Sequence, residues 1–175
     1  KDVKVVVAEG TELTSYGAAA IQCNGLTEGL VLSINGQVTS VGDHAMYLPQ
    51  VNLCTIEAKA EITGVTGIEI RGGDLVINGG SISGSTTDPF SANANNNGST
   101  VNGVAIAVAP HSTDLDINVT VGGGVFAGAY AIYEFNSQPV RNGKTAIVIN
   151  GGTFNAPVYC ENCTVTGGVT VNNTY

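Results

Sequence analysis

Val76–Gly80 reads VINGG, and Val148–Gly152 reads VINGG again, the copies continuing as VINGGSISG and VINGGTFNA. A chain that spells one short phrase twice must use it twice, and more echoes lie between and around the two. SINGQVTS (33–40), EAKAEITG (57–64), TVGGGVFAG (120–128) and the shorter VTGGVTV (165–171) belong to the same set. A second set alternates with it: AAAIQCNG (18–25), HAMYLPQ (44–50), TGIEIRG (66–72), GVAIAVAP (103–110), AYAIYEFN (129–136) and APVYCEN (156–162). Each phrase is a short stretch of alternating apolar and polar residues closed by Gly, Asn or Pro, the pattern of a half-buried strand and its turn.

One phrase from each set takes about 22 residues where nothing intervenes, and a period in the twenties made only of strands and turns marks a solenoid. A single turn of chain cannot bury its apolar face; stacked turns bury a continuous core. Leucine-rich repeats share the period but need a Leu frame that is absent, and propeller blades need roughly 40 residues each. The expectation is all-β: a single-stranded right-handed parallel β-helix of about six coils of ~22 residues, filling 1–175 as one domain. Residues 1–15 read as an N-terminal cap strand. Two interruptions, 85–101 and 136–144, read as loop insertions; the first is polar and low in complexity, and the second carries Pro139 and Arg141.

Period-2 alternation assigns the faces. Ile21/Cys23, Met46/Leu48, Ile68/Ile70, Ile106/Val108 and Ile132 with Val158/Cys160 should stack inward. Val38, Ile62, Ile82, Phe126 and Phe154 should form a second inward column. Gln22, Tyr47, Glu69, Ala107, Tyr133 and Tyr159 should share one outward row. Asn35, Asn78 and Asn150 fall at one corner, where an amide can bond the backbone of the next coil.

These phrases, VINGGTFNA followed by APVYCEN above all, resemble the right-handed parallel β-helix or pectate-lyase-like superfamily. More narrowly they resemble the Gly-Gly-Thr-Phe repeat modules of bacterial surface proteins and phage virion proteins. The resemblance runs from about Tyr16 onward. It implies an extracellular, cell-surface or virion setting, and it is specific for fold rather than activity, because this scaffold carries lyases, hydrolases, adhesins and inert stalks.

Charge excludes several classes. Six Lys and Arg against fourteen Asp and Glu give a net charge of −8, with the cations scattered. Nucleic acid needs clustered cations, and no apolar run reaches the ~18 residues of a membrane span. The sequence starts at Lys1 without Met or a signal pattern, so a segment of a longer protein is expected.

Candidate chemistry is sparse. Were the chain an enzyme, Glu69 and Arg71, two apart on the outward row, would supply a carboxylate with an electrophilic partner. Asp114 and Asp116 would add a weak Ca2+ or acid/base pair. Asp43–His44 and His111 are the acid and His neighbours, and a triad claim has no support in the sequence. Tyr47, Tyr133 and Tyr159, with Glu134 close by, could form a sugar-stacking platform or an ordinary aromatic ladder. Cys160 and Cys163 are spaced C-x-x-C; buried thiols or a local disulfide fit better than a four-sulfur metal site, since Cys23 and Cys54 are single. No cofactor or metal is expected. The sequence reads as a non-catalytic structural or adhesive module that contacts a glycan, another protein or a second copy at an open coil end. A polysaccharide lyase or glycoside hydrolase of the same fold is the alternative.

Overall fold

The repeated phrase occupies the same place in two rungs, with one rung between them. In the computed structural model, which describes residues 2–85, 88–138, 140 and 142–171, both VINGG copies end a strand and enter a turn. Asn78 N–H donates to Ile56 O at 2.8 Å, and Asn150 N–H donates to Val121 O at 2.7 Å. Gly80 (φ +82°) and Gly152 (φ +115°) then turn the chain through left-handed backbone that other residues resist.

Rung by rung, the strands are β1 (Val3–Val7), β2 (Glu12–Ser15) and β3 (Ile21–Gln22), then β4 (Leu30–Ile34), β5 (Gln37–Ser40) and β6 (Met46–Leu48). Next come β7 (Val51–Ile56), β8 (Glu61–Thr63) and β9 (Ile68–Ile70), followed by β10 (Gly73–Ile77) and β11 (Ser81–Ser83). The hairpin β12 (Ser91–Asn95) and β13 (Gly98–Asn102) intervenes before β14 (Val104–Val108). The chain continues with β15 (Ile117–Val121), β16 (Val125–Ala127) and β17 (Tyr130–Glu134), then β18 (Thr145–Ile149), β19 (Thr153–Phe154) and β20 (Val158–Tyr159). It closes with β21 (Cys163–Val165) and β22 (Thr170–Val171).

The first strand of every rung joins one seven-stranded parallel sheet, β1-β4-β7-β10-β15-β18-β21, and the second joins another, β2-β5-β8-β11-β16-β19-β22. The third strands form a six-stranded parallel sheet, β3-β6-β9-β14-β17-β20. The protein is thus all-β, with no helix among the described residues. Leu32 pairs with Cys54 and Cys54 with Leu75, reproducing the sequence period. Residues 1–15, expected to form a cap strand, supply β1 and β2, the edge strands of the two larger sheets.

Inside, the expected columns are present. Val38, Ile62, Ile82, Phe126 and Phe154 follow one another in register. The last two rings stack at 4.8 Å. Ile21, Met46, Ile68, Ile106, Ile132 and Val158 do the same in the third sheet. Each fully buried aliphatic side chain contributes about 1.5–3 kcal/mol. The corner amides are less uniform than expected. Asn35 Oδ1 accepts from Lys59 N–H at 3.0 Å, whereas Asn78 donates to Glu57 and Asn150 accepts from Thr166 Oγ1.

The 85–101 insertion is not a bulging loop. Ser91–Asn95 and Gly98–Asn102 pair antiparallel, Ser91 with Asn102 and Asn95 with Gly98. The hairpin lies over the outer face of the third sheet. Val101, Val104, Ala107 and Ala109 are buried there, and Phe90, Ala92, Tyr130, Tyr133 and Phe135 pack around them as a second, smaller core.

Candidate functional site

The outward row has the expected register: Gln22, Tyr47, Glu69, Ala107, Tyr133 and Tyr159 are consecutive partners across the third sheet. Its exposure is what the hairpin changes. Glu69 is 0% and Arg71 2% exposed, so neither is the surface group that its position alone would make it.

Both side chains bind the hairpin. Glu69 Oε2 accepts from Val101 N–H at 3.1 Å, and Arg71 Nη2 donates to Asn97 O at 2.9 Å. Arg71 also donates through Nε to Ala109 O at 3.2 Å and through Nη1 to the Tyr47 hydroxyl. Arg71 Nε lies 3.7 Å from Glu69 Oε1, an oxygen with no hydrogen-bond partner among the described residues. Thr66 Oγ1 donates to Val101 O at 2.6 Å, a further tie to β13.

His44 extends the network, a role the sequence did not reveal. Its Nε2 is 3.0 Å from Glu69 Oε2 and its Nδ1 2.7 Å from Asp43 Oδ1. Burial by itself would push the imidazole down, but the bonds and charges of Glu69 and Asp43 outweigh it and hold His44 above its ordinary value. Burial likewise pulls Asp43 up, and the His44 bonds and charge more than reverse it, leaving the carboxyl below its usual range. An imidazole with a carboxylate on each nitrogen has no free nitrogen for a substrate.

The other candidates are also engaged within the fold. Asp114 (φ +57°) accepts from Asn142 N–H at 2.8 Å and Gly143 N–H at 3.1 Å, and Asp116 from Lys144 N–H at 2.6 Å. The pair thus holds the 136–144 insertion; Pro139 and Arg141 of that insertion lie outside the described residues. No group of three or more His, Cys, Asp or Glu suited to a metal occurs among the described residues.

Glu134 does not stand beside the tyrosines. It pairs with Val108 in an inward-facing register and is buried. There it accepts from the backbone N–H groups of Glu161 (2.7 Å) and Asn162 (3.0 Å) and from the Asn162 amide (2.8 Å). Tyr133 and Tyr159 stack at 4.9 Å, but Phe90 packs 4.9 Å from Tyr133 and covers that end of the ladder. Tyr159 remains 48% exposed.

Cys160 and Cys163 form a disulfide. Cys23 and Cys54 are free. Burial pushes both thiols up, Cys54 far above its ordinary range.

Beyond Tyr47 the row opens into a cavity of about 720 Å³, bordered by Gln22, Gly25, Asn97, His111 and Thr113 among others. No family model matches the chain, and no curated protein or solved structure matches it. Fold and site therefore define it on their own terms. It is an all-β protein of three long parallel sheets, with a hairpin fastened over one face by a buried ionic network.

Proposed function

We propose that the chain is a right-handed parallel β-helix and serves as a non-catalytic structural or adhesive module of an extracellular, cell-surface or virion protein. The cyclic order of the strands through three parallel sheets supports closure into a solenoid, and parallel crossovers are right-handed in about 98% of cases. The observation that carries the functional reading is the use made of the acidic side chains. Glu69, Asp114, Asp116 and Glu134 each accept backbone N–H groups from an inserted segment or a neighbouring rung. Carboxylates so engaged fix the shape of a rod rather than wait for a sugar ring.

The Cys160–Cys163 disulfide supports an oxidising compartment. Val3, Val6 and Leu13, exposed along β1 and β2, support a protein neighbour at that edge. The test is an absorbance assay for unsaturated uronate, with a reducing-end assay beside it, across acidic and neutral polysaccharides. A structural or adhesive module yields no product. Product formation, lost on Glu69→Gln or Asp116→Asn, would replace this reading with a lyase or hydrolase.

A further inference from the structure

The cavity beside Tyr47 has a lining that selects a ligand. It lies where three segments meet: the turn after β3, the β12–β13 connection at Asn97, and the turn at 111–114. Ser112 N–H donates to Asn97 O at 2.9 Å, which ties the last two together. Its volume of about 720 Å³ falls within the roughly 300–1,000 Å³ of small-molecule clefts.

The wall carries hydrogen-bonding groups but no Asp, Glu, Lys or Arg. The Gln22 side chain is exposed and makes no hydrogen bond among the described residues. Thr113 meets the Gly25 side of the wall with its methyl group, its Oγ1 being buried. His111 accepts Thr113 N–H at Nδ1 (3.1 Å), so the proton of the neutral ring sits on Nε2, free to donate. Burial and then the Arg71 charge hold His111 below its ordinary value, which keeps it neutral near pH 7. Tyr47 supplies an aromatic surface, with its hydroxyl fixed by Arg71 and the guanidinium carbon 5.5 Å from the ring centroid. Arg71 itself is 2% exposed and has no reach into the cavity.

We propose that this cavity is a binding site for a neutral saccharide, stacked on Tyr47 and hydrogen-bonded by Gln22 and His111. Hydroxyl-rich, uncharged rings match amide and imidazole partners beside an aromatic face. A uronate, sulfate or phosphate would leave water for a wall with no accessible cation, on a chain of net charge −8. The inference extends the proposed function by naming a ligand class, and the two fail separately. Catalysis would overturn the earlier reading, whereas this one is overturned by binding elsewhere or not at all.

The experiment is titration of the 1–175 chain with neutral glucan, mannan, galactan and xylan oligosaccharides and with oligouronates. Calorimetry would be paired with NMR shifts of the His111 ring. Gly25→Leu fills the cavity, since a Cβ at Gly25 would already lie 3.4 Å from Thr113 Cγ2 and 3.5 Å from His111 Cε1. Gln22→Ala removes an exposed donor without touching the core. Tyr159→Ala is the control on the other tyrosine surface. Expected are binding of at least one neutral oligosaccharide with shifts at His111, a tenfold or greater loss in Gly25→Leu, a severalfold loss in Gln22→Ala, and no change in Tyr159→Ala. Absence of neutral binding, a preference for oligouronates, or loss in Tyr159→Ala but not in Gln22→Ala would each overturn the assignment.

Discussion

Arg71 Nη2 donates to the backbone carbonyl of Asn97 at 2.9 Å, across 26 residues of chain, and by this bond a guanidinium on the third sheet holds the tip of the hairpin above it. The hairpin would otherwise be a polar insertion with few apolar residues. Its order depends on charges supplied by the scaffold, so disturbing those charges should release the hairpin before the sheets.

Arg71→Met tests that dependence. It takes the guanidinium away from buried Glu69, leaving His44 as that carboxylate's ionic neighbour, and leaves Asn97 O without its guanidinium donor. Removing one member of a buried pair costs about 3–5 kcal/mol. Urea melts should show a loss of that order, and hydrogen exchange should rise first at residues 91–102. A loss under 1 kcal/mol, or exchange rising evenly across the sheets, would contradict the fastening role.

Gly98→Ala approaches the same contact from the other side. Gly98 has φ +138°, and a Cβ there would lie 2.2 Å from Arg71 Nη2 and 2.5 Å from Pro110 O. Backbone strain at such a position costs on the order of 1–3 kcal/mol. Limited proteolysis should cut Gly98→Ala within the hairpin under conditions that leave the parent intact.

Cys163→Ser should act locally. The Cys160–Cys163 bridge closes a very short loop beside the backbone N–H groups of residues 161 and 162 that Glu134 binds. Chain-entropy reasoning gives such a loop about 2 kcal/mol. Loss of protection confined to β20–β22 is the expected exchange pattern. A change reaching β9 would mean that the bridge stabilises far more than one corner.

How much of this was legible in the sequence follows from which interactions are periodic. The columns headed by Val38 and Ile21 are written as alternation between turns, and repetition let each rung confirm its neighbours. The outward row from Gln22 to Tyr159 was legible for the same reason. Its burial was not. The insertion that covers Glu69 offers no strong alternation, and its order comes from Thr66, Glu69 and Arg71 on the preceding rung. Glu134 was misplaced because a carboxylate on an inward position looks out of place: alternation turns it inward with its partner Val108, and the N–H groups that receive it lie 27 and 28 residues away. Asp43–His44 stood out as an acid beside a histidine, yet its link to Glu69 joins two rungs and leaves no local mark.

That link makes stability depend on pH with a determined sign. Glu69 and Asp43 together raise His44 above its ordinary value despite its burial, so the protonated imidazole is favoured in the folded state. Its contribution is complete below the unfolded value of about 6.5 and is lost as pH rises through the higher folded value. Asp43 runs the other way. His44 depresses it against the pull of burial, so its contribution is present above about 3.8 and is lost as pH falls through its lower folded value. The network should be strongest between about pH 4 and 6.5. Denaturant melts from pH 4 to 9 should show stability falling on the alkaline side, with the hairpin amides losing protection first because Glu69 also holds Val101 N–H. His44→Gln should flatten that alkaline fall while lowering stability at pH 5. A parent whose stability is level from pH 5 to 9, or an NMR titration placing His44 below 6.5, would show that the imidazole sits neutral between its two carboxylates.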